Sequence, residues 1–315
     1  MAVAAAPKKP APKSRPGKQC LEGYWVPENW SAHHLYLERF GNTKAEEKLK
    51  WFKKLVGAFW PEPLFFWDRW ADLYFGALCG AKDTVERIAN VKFEADYPWW
   101  ETLSSTGAAA TGKSSRAAMW ILCNWLCARE HTSCVLTSTS MDQLKRRIWA
   151  ELVDWIGKSR HKLPLEVVAS DTLIRWSERD TRSAIFGRAV DQGGSVDNAV
   201  GRIKGIHNRR VFVVTDEATA MPEAIAKACR NLDSGTLEFQ FILLGNATEY
   251  HDQHGIHCEP MNGWASVGPD DEFWLTKVGG CCVHLDGHRS PALEDPQKYH
   301  FYIGRKKLDK DARFF

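Results

Sequence analysis

The sequence predicts an α/β fold, a mostly parallel sheet flanked by helices, preceded by a small helical N-terminal layer and a disordered basic arm. Three observations carry this. After Trp100, short apolar or β-branched runs alternate with segments of helical period, the pattern of a parallel sheet covered on both faces. A stretch of small residues, STGAAATGKSSR (Ser105 to Arg116), sits between a strand-like run and a helix-like run. Two strongly apolar runs, RRVFVVTDEA and FQFILLGNAT, each end abruptly in polar residues.

The first 20 residues form the arm. MAVAAAPKKPAPKSRPGK carries Lys8, Lys9, Lys13, Arg15 and Lys18 and no acid, and its alanine and proline cannot build a core. It lacks the apolar stretch of a signal peptide. It reads either as a tether to nucleic acid or a partner, or as a solubilising tail. Residues 21–95 follow as a helical subdomain, crowded with Trp51, Phe52, Trp60, Phe65, Phe66, Trp67 and Trp70. EEKLKWFKKLVGAFW and PLFFWDRWADLYFGAL have helical period, and aromatics at that spacing are core.

Residues 96–260 read as the α/β core. WWETLSST is a predicted strand and SSRAAMWILCNWLCARE a helix; its apolar centre is too short to span a bilayer and holds Asn124. SCVLTST is the next strand. MDQLKRRIWAELVDWIGK is predicted as one amphipathic helix with Leu144, Ile148, Leu152 and Trp155 on one face. TLIRWSER and RSAIFGRA read as two strands with a turn between. RRVFVVTDEA is a buried strand, Met221-Pro222 opens a helix through Arg230, and FQFILLGNAT is another buried strand. Residues 261–315 are a C-terminal extension.

Totals narrow the function. At 315 residues and 44% hydrophobic, the chain can build one large domain or one domain with an appendage. A net charge of +3 excludes a polyanion binder by overall composition, so any basic surface is local. Nine scattered cysteines point to a reducing, cytosol-like compartment rather than a disulfide framework. No segment suggests a membrane.

The small-residue stretch fits G-x-x-x-x-G-K-[ST] over Gly107, Ala108, Ala109, Ala110, Thr111, Gly112, Lys113 and Ser114. A loop that wraps a triphosphate must bring its N–H groups inward, which small side chains and glycine permit. The next helix then presents its N-terminus to the anion. This is the P-loop of a nucleotide-binding fold, binding ATP: Lys113 reaches the β- and γ-phosphates and the Ser114 hydroxyl ligates Mg²⁺. Asp216, at the end of its apolar strand, holds the Mg²⁺ and Glu217 polarises the attacking water. The polar cluster Gly245-Asn246-Ala247-Thr248 closes the third motif.

The order GAAATGKS, VFVVTDEAT, LLGNAT resembles the ATPase domain of phage terminase large subunits, the motors that package viral DNA. The segments TSTSMDQLKRRIWAELVDWI and GRIKGIHNRRVFVVTDEA are similar to their counterparts there. The likeness covers Trp99 to Thr248, and CCVHLDGHRSPALEDP extends it more loosely. The resemblance implies an ATP hydrolase that moves double-stranded DNA into a procapsid. It implies partners in the portal and the small terminase subunit, a homo-oligomeric ring, and a place in the host cell cytoplasm on the procapsid. It makes Asn246 and Thr248 the coupling motif and calls for an arginine at the γ-phosphate, with Arg116 and Arg202 as candidates. No motif places the adenine-contacting segment; Tyr97 to Trp100 are candidates from position alone. The chain reaches LDKDARFF soon after these motifs, so no nuclease activity is expected of it.

Two other readings stand beside this one: a helicase-type or remodelling ATPase, and an inert nucleotide-binding fragment. His251, His254, His257 and Cys258, with Cys281, Cys282, His284 and His288, are metal-ligating types, but their spacing favours a plain polar loop over zinc. Lys145, Arg146 and Arg147, with Arg160, His161 and Lys162, are either a solvated face or a contact to DNA phosphates.

Overall fold

In a computed structural model, the chain is described over residues 42–163, 165–178, 182–189, 200, 201, 203, 205–246 and 249–311. The basic arm and the start of the helical subdomain lie outside these residues, as do Arg202, Ala247 and Thr248.

The aromatic-rich layer is three helices: α1 (Asn42–Phe59), α2 (Arg69–Cys79) and α3 (Lys82–Ala89). Asp68 opens α2 by accepting the Ala71 N–H at 2.7 Å, and Gly80 closes it in the left-handed conformation. Phe52, Phe75 and Trp120 pack ring against ring and join this layer to α4 (Lys113–Cys127), the helix that follows the P-loop. Every residue of α4 from Arg116 to Cys127 is buried, with the layer on one side and the sheet on the other. Each of its two tryptophans contributes on the order of 3 kcal/mol by leaving water.

Nine strands form one sheet among the described residues: β1 (Thr102–Gly107), β2 (Thr132–Ser138), β3 (Glu166–Val168), β4 (Leu173–Arg175), β5 (Ile185–Ala189), β6 (Arg210–Thr215), β7 (Glu238–Leu244), β8 (Phe273–Leu275) and β9 (Cys281–Leu285). Their order is β3-β4-β5-β2-β6-β7-β1-β9-β8. The six central strands, β5 to β9 in that order, are parallel, and β3, β4 and β8 are antiparallel edges. The predicted fold class holds: this is an α/β fold with a mostly parallel sheet flanked by helices.

Parallel pairing puts the C-terminal ends of the six central strands on one rim, and the opposite rim is held by buried charge. Arg210, at the start of β6, donates to Glu238 at 2.6 Å and to the Asn124 carbonyl at 3.0 Å, and Lys48 reaches Glu238 at 3.3 Å. Gln240, inside β7, accepts from Trp120 Nε1 and donates to the Leu78 carbonyl, both at 2.7 Å. These bonds fix the register of β6 and β7, and so the position of the motifs at their far ends.

Four expectations are corrected. The single helix over 141–158 is two, α5 (Met141–Arg146) and α6 (Ile148–Lys158), because Arg147 leaves helical geometry at φ −113°, ψ −105°. The border of the core at 260 does not bound its sheet: β9 pairs with β1 from Leu103 to Gly107, and β8 pairs with β9. The edge strand β3 has no apolar alternation, and periodicity missed it. The histidine–cysteine segment is not a polar loop. His254, His257 and Cys258 are buried on α8 (Gln253–Cys258), and Cys281 and Cys282 are buried in β9. After β6 come α7 (Glu223–Arg230), as predicted from Met221-Pro222, and later the short α9 (Pro291–Glu294) and α10 (Arg305–Asp311). No described helix is long and apolar enough to cross a membrane.

Candidate functional site

β1 hands the chain to the P-loop at Gly107, whose φ of +136° excludes a side chain by conformation. Space excludes one too: a Cβ there would lie 2.4 Å from the Leu285 carbonyl oxygen of β9. Gly107→Ala is therefore expected to destabilise the fold by about 3 kcal/mol, from backbone strain and overpacking together. Urea unfolding checks this, and an unchanged midpoint would contradict it. Ala110 (φ 60°) and Gly112 (φ 77°) supply the remaining left-handed turns.

The Lys113 ammonium lies inside the loop, donating to the Gly107 and Ala108 carbonyls at 2.7 and 2.8 Å and to Asn246 Oδ1 at 3.2 Å. Burial pulls its pKa down to about 8, against the opposing pull of Asp216. A bound polyphosphate favours the charged form, so binding takes up a proton wherever free Lys113 is neutral. Affinity for a nucleotide is then at full strength below pH 8 and falls by up to about tenfold per pH unit above it. Titrations at pH 7, 8 and 9 check this; a flat profile would contradict it.

The strand order explains why Asn246 meets Lys113. β7 lies between β1 and β6, so the end of β7 stands between the P-loop and the acidic pair. Across it, Ser114 Oγ lies 3.4 Å from Asp216 Oδ1. Asp216 is held by its own N–H, which donates to the Thr137 carbonyl at 2.8 Å. Its Oδ2 is buried with no protein partner, and burial raises its pKa above the usual carboxylate value. The Thr137, Ser138 and Thr215 hydroxyls, at the ends of the paired strands β2 and β6, are likewise buried without a protein partner. A buried carboxylate oxygen with no donor, beside a hydroxyl, fits a hard divalent cation. Ser114 and Asp216 are the residues that would hold Mg²⁺.

Glu217 sits just beyond, at φ 57°, ψ 46°, a conformation that costs a non-glycine residue about 1–2 kcal/mol. Its carboxylate is ion-paired with the Arg147 guanidinium. Arg147 is the residue at which the helix after β2 breaks, and the break aims its side chain across the rim. Sequence reasoning placed Arg147 only in a basic run.

The structure thus brings together Lys113, Ser114, Asp216, Glu217 and Asn246. It does not bring Arg116 to them. Arg116 is fully buried, donating to the Thr111 carbonyl at 2.6 Å, to Asp68 at 3.2 and 3.3 Å and to the Tyr302 hydroxyl. It braces the loop from behind and does not face a phosphate. Arg202 and Thr248 lie outside the described residues. Trp99 and Trp100 stand at the start of β1; six residues of strand set them roughly 20 Å from the loop. Trp99 is buried against Phe93 and Phe273. The expected adenine contact at Tyr97 to Trp100 is therefore corrected. Among the described residues, no group of three or more His, Cys, Asp or Glu side chains is arranged to hold a metal by itself.

No family model matches the chain, and no curated protein matches it. Among solved structures, it is similar to the large terminase of a thermophilic bacteriophage at 14% identity, over 59% of this chain and 40% of that one, with a TM-score of 0.37. The same terminase in complex with ADP gives a TM-score of 0.36. An arginine-to-alanine variant of the large terminase ATPase domain of a Thermus phage gives 0.40, at 14% identity over 64% of this chain and 84% of that one. The matched region spans 40% of the length of the first of these proteins.

Proposed function

We propose that this chain hydrolyses ATP and that the hydrolysis moves double-stranded DNA into a viral procapsid. One observation supports the ATPase reading above all. Lys113, Ser114, Asn246, Asp216, Glu217 and Arg147 converge at one end of four strands, on a glycine-rich loop that closes around an ammonium. The loop N–H groups and Lys113 hold the phosphates, and Mg²⁺, when bound, neutralises charge on them. Glu217 takes the proton of the attacking water.

Arg147 makes this conditional. Its guanidinium is ion-paired with Glu217. A γ-phosphate on the loop offers it a second anion, and the exchange frees the base while placing a cation where negative charge develops. Base and cation are thus readied only when substrate is present. Asn246, bonded to Lys113 at the end of β7, feels occupancy of the loop and passes it along its strand.

The DNA-packaging reading rests on the order of the three motifs and the segments between them. Under it the chain works as a homo-oligomeric ring with the portal and small terminase subunit, in the host cytoplasm on the procapsid. The test is ATP hydrolysis by the purified chain with and without long double-stranded DNA, beside Lys113→Ala. Turnover that rises with DNA and vanishes in the variant is expected. Turnover indifferent to DNA would overturn the packaging reading, and strand separation would favour a helicase-type ATPase.

A further inference from the structure

We propose that Phe66 and Phe301 form the platform on which the base of the bound nucleotide stacks. The inference rests on the nucleotide reading of the P-loop and adds the half of the ligand that the loop does not recognise. It starts from direction. The γ-phosphate end of the site is fixed by Asp216 and Glu217 on the β6 side. In the order β6-β7-β1-β9, the rest of a nucleotide then runs away from β6, across β1, toward the chain that follows β9.

That chain folds back onto the loop. The Ile303 N–H donates to the Ala110 carbonyl at 2.8 Å, and the Tyr302 ring lies so close to Gly112 that a Cβ there would meet it at 3.0 Å. A second segment arrives from the N-terminal layer, where Asp68 takes the Arg116 guanidinium. Arg116 bonds Thr111, Asp68 and Tyr302 together, so one buried side chain, two residues past Ser114, ties both segments to the P-loop.

Each segment carries an aromatic ring next to its anchor. Phe66 precedes Asp68 by two residues, and Phe301 precedes Tyr302. The two rings are parallel to within 6°, with centroids 6.5 Å apart. Tyr299 stands edge-on to both, and the Lys298 ammonium lies 4.8 Å from the centre of Phe66. Most of the described aromatics are buried, but Phe301 is 47% exposed. An exposed ring held parallel to a second ring, with a cation beside them, is a surface for a flat heteroaromatic. Stacking uses the π-face that all bases share, so the platform holds the base without reading its edges.

The test uses the full chain and two probes, ATP and inorganic tripolyphosphate, each with Mg²⁺, in equilibrium titrations of wild type, Phe301→Ala, Phe301→Trp and Lys113→Ala. Phe301→Ala is expected to weaken ATP about tenfold or more and to leave tripolyphosphate unchanged, with Phe301→Trp restoring ATP. ATP affinity unaltered by Phe301→Ala would overturn the platform, and so would an equal loss for both probes, which would mean that Phe301 only supports the loop. If wild type binds neither probe, or Lys113→Ala leaves both unchanged, the nucleotide reading itself fails and the platform with it.

Discussion

Glu217→Gln lowers ATP turnover by about 10²–10⁴-fold and leaves ATP affinity nearly unchanged, if Glu217 is the general base. The amide keeps the shape of the side chain but cannot take a proton from water. The loop, Lys113 and the Ser114–Asp216 pair are untouched, so binding survives. Under this reading the left-handed backbone at 217, directly after β6, is what sets the carboxylate at the rim. Phosphate release measured beside equilibrium ATP binding separates the two quantities. Turnover equal to wild type would remove Glu217 from the chemistry.

Arg147→Ala is expected to cost about 10³-fold in turnover, the scale on which arginines stabilise phosphoryl transfer. Arg147→Lys recovers only part, because an ammonium is a point charge and not a planar fork. Both partners of the Arg147–Glu217 pair are partly exposed, so its loss costs the fold little, on the order of 0.5 kcal/mol. The variant therefore folds, and its defect is read in kcat. A rise in turnover would contradict the exchange, because it would make Arg147 solely a brake on Glu217.

Much of the site was legible before the structure. Gly107, Gly112, Lys113 and Ser114 follow a spacing that phosphate geometry dictates, and four consecutive apolar residues ahead of Thr215-Asp216-Glu217 mark a parallel strand end. What stayed illegible depends on non-local packing. Arg147 lies in a run with good helical period, and nothing local signals that an ion pair to a residue 70 positions away accompanies a helix break. Arg116 follows the loop closely enough to suggest a catalytic arginine. Its burial is decided by Asp68 and Tyr302, from opposite ends of the chain. Strand β9 is short and cysteine-rich, and only its pairing with β1 reveals it as a wall of the P-loop. The platform needs both ends at once: Phe66 and Phe301 carry no motif and meet only because Arg116 gathers their neighbours.

The central claim is that the Gly107–Ser114 loop binds the phosphates of ATP through Lys113. Calorimetric titration of Mg²⁺-ATP into wild type and Lys113→Ala, both shown to be folded by their urea midpoints, tests it most directly. The account predicts one ATP per wild-type chain and affinity at least about a hundredfold weaker in the variant, the scale on which a buried site suffers when a charge-assisted hydrogen bond is removed. Equal affinities, or a wild-type chain that binds no ATP, would contradict it.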